Sequence, residues 1–286
     1  MNDENKLIND TLKKVYENLK NNEIFDKCSY VMPSRDKLVE ILKDLRCIIF
    51  PGYFGENILC NYETKANEIL QNVINSLKKQ MTVAFTFERK LNKEEINQKV
   101  DDFIQMFIAN IPNLQKALYM DVDALFQGDP AAESKAIVIS SYPGMLAIYV
   151  YRIAHIFYKY KVPILPRMMS EYAHSRTGID INSGAEIGKS FFIDHGTGIV
   201  IGETTVIGDN VKLYQGVTLG ALSTRRGQEL SGLKRHPTIG NNVTIYSGAT
   251  ILGGETVIGD GCVIGGNTFI TKSVAPNTRV VQNATD

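Results

Sequence analysis

The sequence predicts an α+β chain in which an N-terminal helical bundle leads into a parallel β-helix of six-residue repeats. From about residue 178 an aliphatic side chain recurs at every sixth position: Ile181, Ile187 and Ile193, then Ile201, Ile207, Leu213 and Leu219, then Ile239, Ile245 and Ile251, then Leu252, Ile258, Ile264 and Ile270. Each six-residue side of such a coil turns one aliphatic group inward and bends at its end. Ile-Gly recurs at 187/188, 201/202, 207/208, 239/240, 258/259 and 264/265, where a tight corner leaves little room for a Cβ. All of the 23 glycines except Gly52, Gly55, Gly128 and Gly144 lie from residue 178 onward, so composition changes where the period begins.

Before that boundary the apolar spacing is helical. Ile58, Leu59, Tyr62, Ala66, Ile69, Leu70, Val73, Ile74, Leu77 and Met81 follow the three-four rhythm of an amphipathic helix over 58–81. Ile96, Val100, Phe103, Ile104, Phe107 and Ile108 repeat it over 96–108, with Asn92 and Glu95 as N-cap and N3 partner. Shorter helices are expected at 4–20, 35–48, 113–125, 130–139, 143–159 and 165–175. Pro163 and Pro166 end the last long helix before the coil. The expected organisation is therefore a helical domain over 1–176, for packing or assembly, and a coil over 177–280 with a protruding loop at 221–236.

Composition narrows the function. Lys+Arg and Asp+Glu are both 31, so net charge is zero and no basic face argues for nucleic acid. The first twenty residues are polar and charged, unlike a signal peptide, and no run approaches 18 apolar residues, so a cytoplasmic protein without a membrane span is expected. Cys28, Cys47, Cys60 and Cys262 have no metal-ligand spacing and read as small buried hydrophobes.

A coil accepts extra residues only at its corners, so breaks in the period mark selection for something besides core filling. One break lies between Ile193 and Ile201, where Asp194-His195-Gly196-Thr197-Gly198 slips the run by two residues. The other is GALSTRRGQELSGLKRHP (220–237), a polar, basic stretch that brings Arg235-His236 back to the wall. His155 and His174 lie on predicted helices and read as structural. His195 is the candidate base, because imidazole can take a hydroxyl proton and return it near neutral pH. Asp180, fifteen residues earlier, falls just short of the ~18 residues in one full coil and reaches the adjacent coil if the slip is local. Asp194 points away from His195 if the segment is extended, toward a substrate amine. A solvated Asp-His corner fits the same spacing.

GIDINSGAEIG (178–188), FFIDHGTGIVIGETTVIGDNVKLYQGVTLG (191–220) and RHPTIGNNVTI (235–245) together resemble serine O-acetyltransferase, and GDPAA (128–132) with YRIAH (151–155) resembles the end of that family's helical domain. The resemblance spans roughly residues 115–275. It implies a left-handed β-helix and acetyl transfer from acetyl-CoA to the hydroxyl of L-serine. His195 then matches the general base, Asp180 its carboxylate, and Asp129, Asp194, Arg235 and His236 the residues that hold the amino acid. Opposite charges at its two ends suit a zwitterion, and arginine can grip a carboxylate at two points. Glu203 matches a further motif position.

Acetyl-CoA is implied as co-substrate, with no tightly bound cofactor and no metal. Its expected path is a groove between coils past Thr218, Gly220, Ala221, Ser247, Gly248, Gly265 and Gly266, although corners of a coil need small residues in any case. Backbone N–H groups near Gly220–Ala221 are the expected oxyanion donors. The resemblance also implies L-cysteine as a near-isosteric inhibitor and sites shared between subunits of a homotrimer or a dimer of trimers. The final residues VVQNATD do not match the tail by which that family engages O-acetylserine sulfhydrylase, so this partnership is not expected. Rival readings are a hexapeptide acyltransferase acting on homoserine or an amino sugar, and a zinc hydratase on the same coil. The last needs three histidines on neighbouring coils, and the repeat holds only His195 and His236.

Overall fold

A computed structural model describes residues 3–20, 31–55, 58–223 and 225–281. By its contacts the chain forms two compact units, residues 1–32 and 33–286. The first contributes α1 (Asp3–Lys20), an 18-residue helix close to the predicted 4–20 with no buried residue. Cys28 and the end of the chain beyond residue 281 lie outside the described residues.

In the second unit, α2 (Arg35–Ile49) starts at Ser34, whose side chain accepts the Lys37 N–H. A 3₁₀ turn at Leu59–Asn61 then leads into α3 (Tyr62–Glu88), where the apolar spacing had placed one helix from 58. The two helices expected at 96–108 and 113–125 are a single one, α4 (Lys93–Gly128), which runs through Pro112. Proline there forfeits one backbone bond, a loss of about 3 kcal/mol. Phe103, Phe107, Leu114, Leu118, Val122 and Leu125 nonetheless continue one buried stripe across it, and that burial outweighs the missing bond. The expected Asn92–Glu95 capping box is present.

Next come α5 (Lys135–Ser141), which begins later than predicted because Ser134 supplies the cap, α6 (Pro143–Lys159) and α7 (Leu165–Thr177). His155 is structural as expected, its Nδ1 lying 2.8 Å from the Ser183 carbonyl, and burial lowers its pKa. His174 sits exposed near Glu171. Of the described cysteines only Cys262 is fully buried; Cys47 is half-buried and Cys60 exposed, because each follows its own helix face rather than the core. Among the described residues no single helix is long and apolar enough to cross a membrane.

From Asp180 the chain visits three parallel sheets in turn. The first face holds β1 (Asp180–Ile181), β4 (Val200–Ile201), β7 (Thr218–Gly220), β10 (Thr250–Leu252) and β13 (Phe269–Ile270). The second holds β2 (Glu186–Ile187), β5 (Val206–Ile207), β8 (Thr238–Ile239) and β11 (Val257–Ile258). The third holds β3 (Phe192–Ile193), β6 (Lys212–Leu213), β9 (Thr244–Ile245), β12 (Val263–Ile264) and β14 (Arg279–Val280). Register is kept by aliphatic ladders such as Ile181↔Ile201↔Leu219↔Ile251↔Ile270.

A second inward residue, two positions before each ladder residue, also fills the interior: Ile179, Ala185, Phe191, Ile199, Thr205, Val211, Val217, Val243, Ala249, Thr256, Cys262 and Thr268 are all buried. This is the in-out alternation of extended backbone, which the six-residue count alone does not display. Leu252, expected to point inward, does not: Ile251 fills that place, Leu252 pairs with Gly220, and the extra residue is taken up at the Gly253 corner.

Helices and coil are tied together at the start of the third face. Arg152 on α6 engages both oxygens of the wholly buried Asp121 on α4 and donates to the Gly188 carbonyl at 2.8 Å. Asp121 also accepts the Phe191 N–H at 3.0 Å. Two glycines allow close approach: a Cβ on Gly128 would lie 2.4 Å from the Phe192 ring, and one on Gly144 would lie 2.6 Å from the Ile193 carbonyl oxygen. The C-terminus of α4 and the N-terminus of α6 therefore dock on β3, whose next residues are Asp194 and His195.

Candidate active site

The corner after β3 carries two residues more than its counterpart after β6, and His195 adopts a left-handed conformation there, φ 54°. Left-handed backbone at a residue with a Cβ costs about 1–2 kcal/mol. Gly196 follows at φ 87°, and a Cβ on it would meet Ile179 at 2.5 Å. The insertion thus bulges outward and leaves the His195 side chain 71% exposed. Because the segment is not extended, Asp194 does not point away from the imidazole as alternation suggests: its Oδ1 lies 3.7 Å from His195 Nδ1.

Asp129, at the C-cap of α4, joins this corner. Its Oδ1 accepts the Ala131 N–H at 2.8 Å and its Oδ2 the Tyr142 hydroxyl at 2.5 Å. The Tyr142 bond, then the Ala131 bond and the nearby His195, hold its carboxyl below the usual carboxylate range. Tyr142 is correspondingly pushed up to about 12, mainly by its bond to Asp129, with Asp194 adding a little. The negative end of a helix disfavours a carboxylate, so Asp129 is not there to stabilise α4.

Asp180 begins β1 on the coil next to this corner, where Gly178 packs against Thr197. Its register partner is Val200, five residues past His195, and among the described residues Asp180 and His195 share no hydrogen bond or ion pair.

The second cluster lies at the other end of the first face, where the chain turns toward the second. The loop from Ala221 includes a 3₁₀ turn at Gly227–Leu230 and returns at Arg235-His236; Thr224 is outside the described residues. The His236 ring lies on Gly202, where a Cβ would come within 2.0 Å of it. His236 Nδ1 accepts the Thr204 N–H at 3.1 Å, which leaves the proton of a neutral imidazole on Nε2. Burial, then the positive Arg235, lower its pKa to about 4.

Arg235 Nη2 pairs with Glu203, and its Nη1 donates to the Leu230 and Leu233 carbonyls at 3.3 and 3.4 Å. Among the described residues Arg235 Nε has no hydrogen-bond partner. Burial works to raise Glu203, but hydrogen bonds from Arg235 and Tyr158 outweigh it and hold it below its ordinary range.

The two clusters do not meet within one chain. A whole face separates them, roughly 15–20 Å for five or six extended residues at about 3.3 Å each.

The small residues expected along acetyl-CoA are also divided. Ser247, Gly248, Gly265 and Gly266 stack at the His195 corner two and three coils along, whereas Thr218, Gly220 and Ala221 run along the first face to the Arg235 corner. No groove separates successive coils, because each hydrogen-bonds directly to the next, strand to strand and corner to corner. Tyr142, Tyr158 and Thr204, which spacing did not reveal, hydrogen-bond to Asp129, Glu203 and His236 respectively. Tyr214 and Tyr246 stack 5.1 Å apart above the His195 corner. Their shared place, one residue after Leu213 and Ile245, is a signal that the period contains.

No family model matches the chain. It is 42% identical over 264 residues to a plasmid serine acetyltransferase of Synechococcus elongatus, covering 88% of this chain and 82% of that protein. Its fold matches the crystal structure of Entamoeba histolytica serine acetyltransferase 1 in complex with L-cysteine with a TM-score of 0.75 and 34% identity, over 89% of this chain and 90% of the other. Soybean serine acetyltransferase complexed with serine matches with a TM-score of 0.57 and 27% identity, over 88% of this chain and 98% of that one.

Proposed function

The chain belongs to the serine acetyltransferase family, and from that premise we propose how its two corner clusters acetylate serine. The reaction moves the acetyl group of acetyl-CoA to the hydroxyl of L-serine, giving O-acetylserine and CoA. One observation carries the assignment of roles: an acidic corner, Asp129 with Asp194, stands beside a base, His195, while the Arg235 cation, with the neutral His236 donor beside it, stands a face away. A zwitterion needs both signs, one at each end.

Asp129 and Asp194 receive the substrate ammonium. Arg235, through its unpartnered Nε–H, and the Nε2–H of His236 receive the carboxylate. Glu203 and Tyr158 hold Arg235 in place. Since one chain keeps these corners apart, the site forms between neighbouring left-handed prisms of a homotrimer, alone or paired, the acidic corner of one facing the cationic corner of the next.

His195 removes the serine hydroxyl proton as the oxygen attacks the thioester carbonyl. The exposed imidazole is free to turn until a carboxylate, Asp180 on the adjacent coil or Asp194, takes its Nδ1–H. Backbone N–H groups at Gly220–Ala221, where the cationic corner opens, stabilise the oxyanion. The C–S bond then breaks, and His195 returns the proton to the thiolate. The pantetheine arm lies between prisms, past Ser247, Gly248, Gly265 and Gly266 on one and Thr218, Gly220 and Ala221 on the other. Cysteine differs from serine at one atom, so it occupies the same charged pocket and inhibits.

The test is thiol release from acetyl-CoA with serine, homoserine and an amino sugar as acceptors, with and without cysteine. Serine is the expected acceptor, and His195→Ala should lower its turnover roughly 10²–10⁴-fold. Equal rates with homoserine or an amino sugar, or an active His195→Ala protein, would refute the assignment.

A further inference from the structure

Asp129 faces two requirements at once: it must be held in one orientation, and it must keep its charge for an ammonium. A lysine or arginine partner would meet the first and spoil the second by repelling the substrate. The Tyr142 phenol meets both, because it is a neutral donor. It binds one carboxylate oxygen while the Ala131 N–H binds the other, fixing the plane of the group and leaving outward lone pairs open.

The phenol is itself anchored. Tyr142 is the N-cap residue of α6, its N–H donates to the Val138 carbonyl at 3.3 Å, and Gly144 two residues on seats the helix against Ile193. Its side chain does not cap the helix, so the hydroxyl is committed to Asp129.

Resting on the reading of Asp129 as an ammonium-binding carboxylate, we propose that Tyr142 is a positioning residue of the amino-acid site, fixing Asp129 for serine and cysteine alike. The upward displacement of the phenol keeps its proton in place through the neutral range, and the downward displacement of Asp129 keeps the carboxylate charged.

The test compares Tyr142→Phe and Asp129→Asn with the parent, in the full chain. One hydrogen bond to a charged group is worth about 1.5–3 kcal/mol, so Tyr142→Phe should raise the KM for serine roughly 10-fold or more and weaken cysteine inhibition by a similar factor. The kcat and the KM for acetyl-CoA should stay within about twofold.

Equal losses for both substrates, or a fall in kcat as large as the rise in the KM for serine, would mark Tyr142 as structural and overturn the proposal. An unchanged KM for serine in Tyr142→Phe beside a raised one in Asp129→Asn would overturn it too, while leaving the reading of Asp129 standing. If Asp129→Asn itself binds serine normally, that reading fails and the proposal with it.

Discussion

Separation of His195 and Arg235 onto different corners makes the shared site testable by mixing two inactive chains. A free amino acid is little longer than the ~3.8 Å between successive Cα atoms, so no serine bridges corners a face-width apart in one prism. His195→Ala removes the base, roughly 10²–10⁴ in rate. Arg235→Ala removes a paired charge, about 2–5 kcal/mol or some 30- to 5,000-fold. Each variant alone should therefore retain at most a few per cent of kcat/KM. In a ring of subunits built from an equal mixture, a seam works only if the chain supplying the base is the Arg235→Ala one and its neighbour is the His195→Ala one. Random assembly gives each choice a probability of about one half, so about a quarter of the seams in a cyclic assembly regain full machinery.

Co-expression with two different tags, purification through both in sequence, and thiol release under saturating acetyl-CoA would measure this. Recovery near a quarter of parental activity, rising slightly after selection for mixed rings, is the expected result. Doubly tagged assemblies no more active than the sum of the two variants would show that both groups act within one chain, and the two-corner account would be wrong.

Three other outcomes follow from the geometry. Asp121→Asn strands the buried Arg152 cation, at about 3–5 kcal/mol; at about 2–4 °C per kcal/mol for a chain of this size, thermal denaturation should show a fall of roughly 6–20 °C, and a shift below about 2 °C would refute the role of this pair in joining helices to coil. Gly202→Ala places a methyl 2.0 Å from the His236 ring and must expel it; its KM for serine should rise at least as far as that of His236→Ala, and an unchanged KM would mean that the ring is not in the site. His236 has its pKa lowered to about 4 in the fold, against about 6.5 when unfolded, so its neutral burial contributes stability above pH 6.5 that is lost as pH falls through 4. Urea midpoints followed across that window should decline more steeply in the parent than in His236→Gln, and identical slopes would contradict this.

The coil was legible because its core is periodic: one inward aliphatic per six residues survives as a count along the chain, whatever the corners do. The second inward position escaped notice because alanine, threonine, cysteine and phenylalanine all occupy it, so only its burial is regular. Leu252 misled for a related reason. It stands six residues before Ile258 and beside Ile251, and spacing cannot say which of two adjacent aliphatics faces inward when a corner absorbs an extra residue. The break expected between 108 and 113 is likewise absent, because a stripe of apolar contacts on both sides of Pro112 carries one helix through it.

Of the proposed site, half was legible, and the dividing line is physical. Breaks in the period pointed to Asp194, His195, Arg235 and His236, because a coil whose every face is committed to ladders has only its corners left for chemistry. A corner can expose one or two polar side chains, however, and a zwitterion needs two signs, each held in a fixed orientation. The coil meets the shortfall by borrowing: Asp129 and Tyr142 come from the helices, delivered by Gly128 and Gly144, the only two of the glycines before residue 178 that lie against β3. Neither glycine belongs to any period, and nothing in helical spacing says which helix end will touch which strand. That contact is nonetheless what sets Asp129 beside His195, so a Cβ at either glycine would act on serine binding by displacing a helix end, without touching the coil's own period.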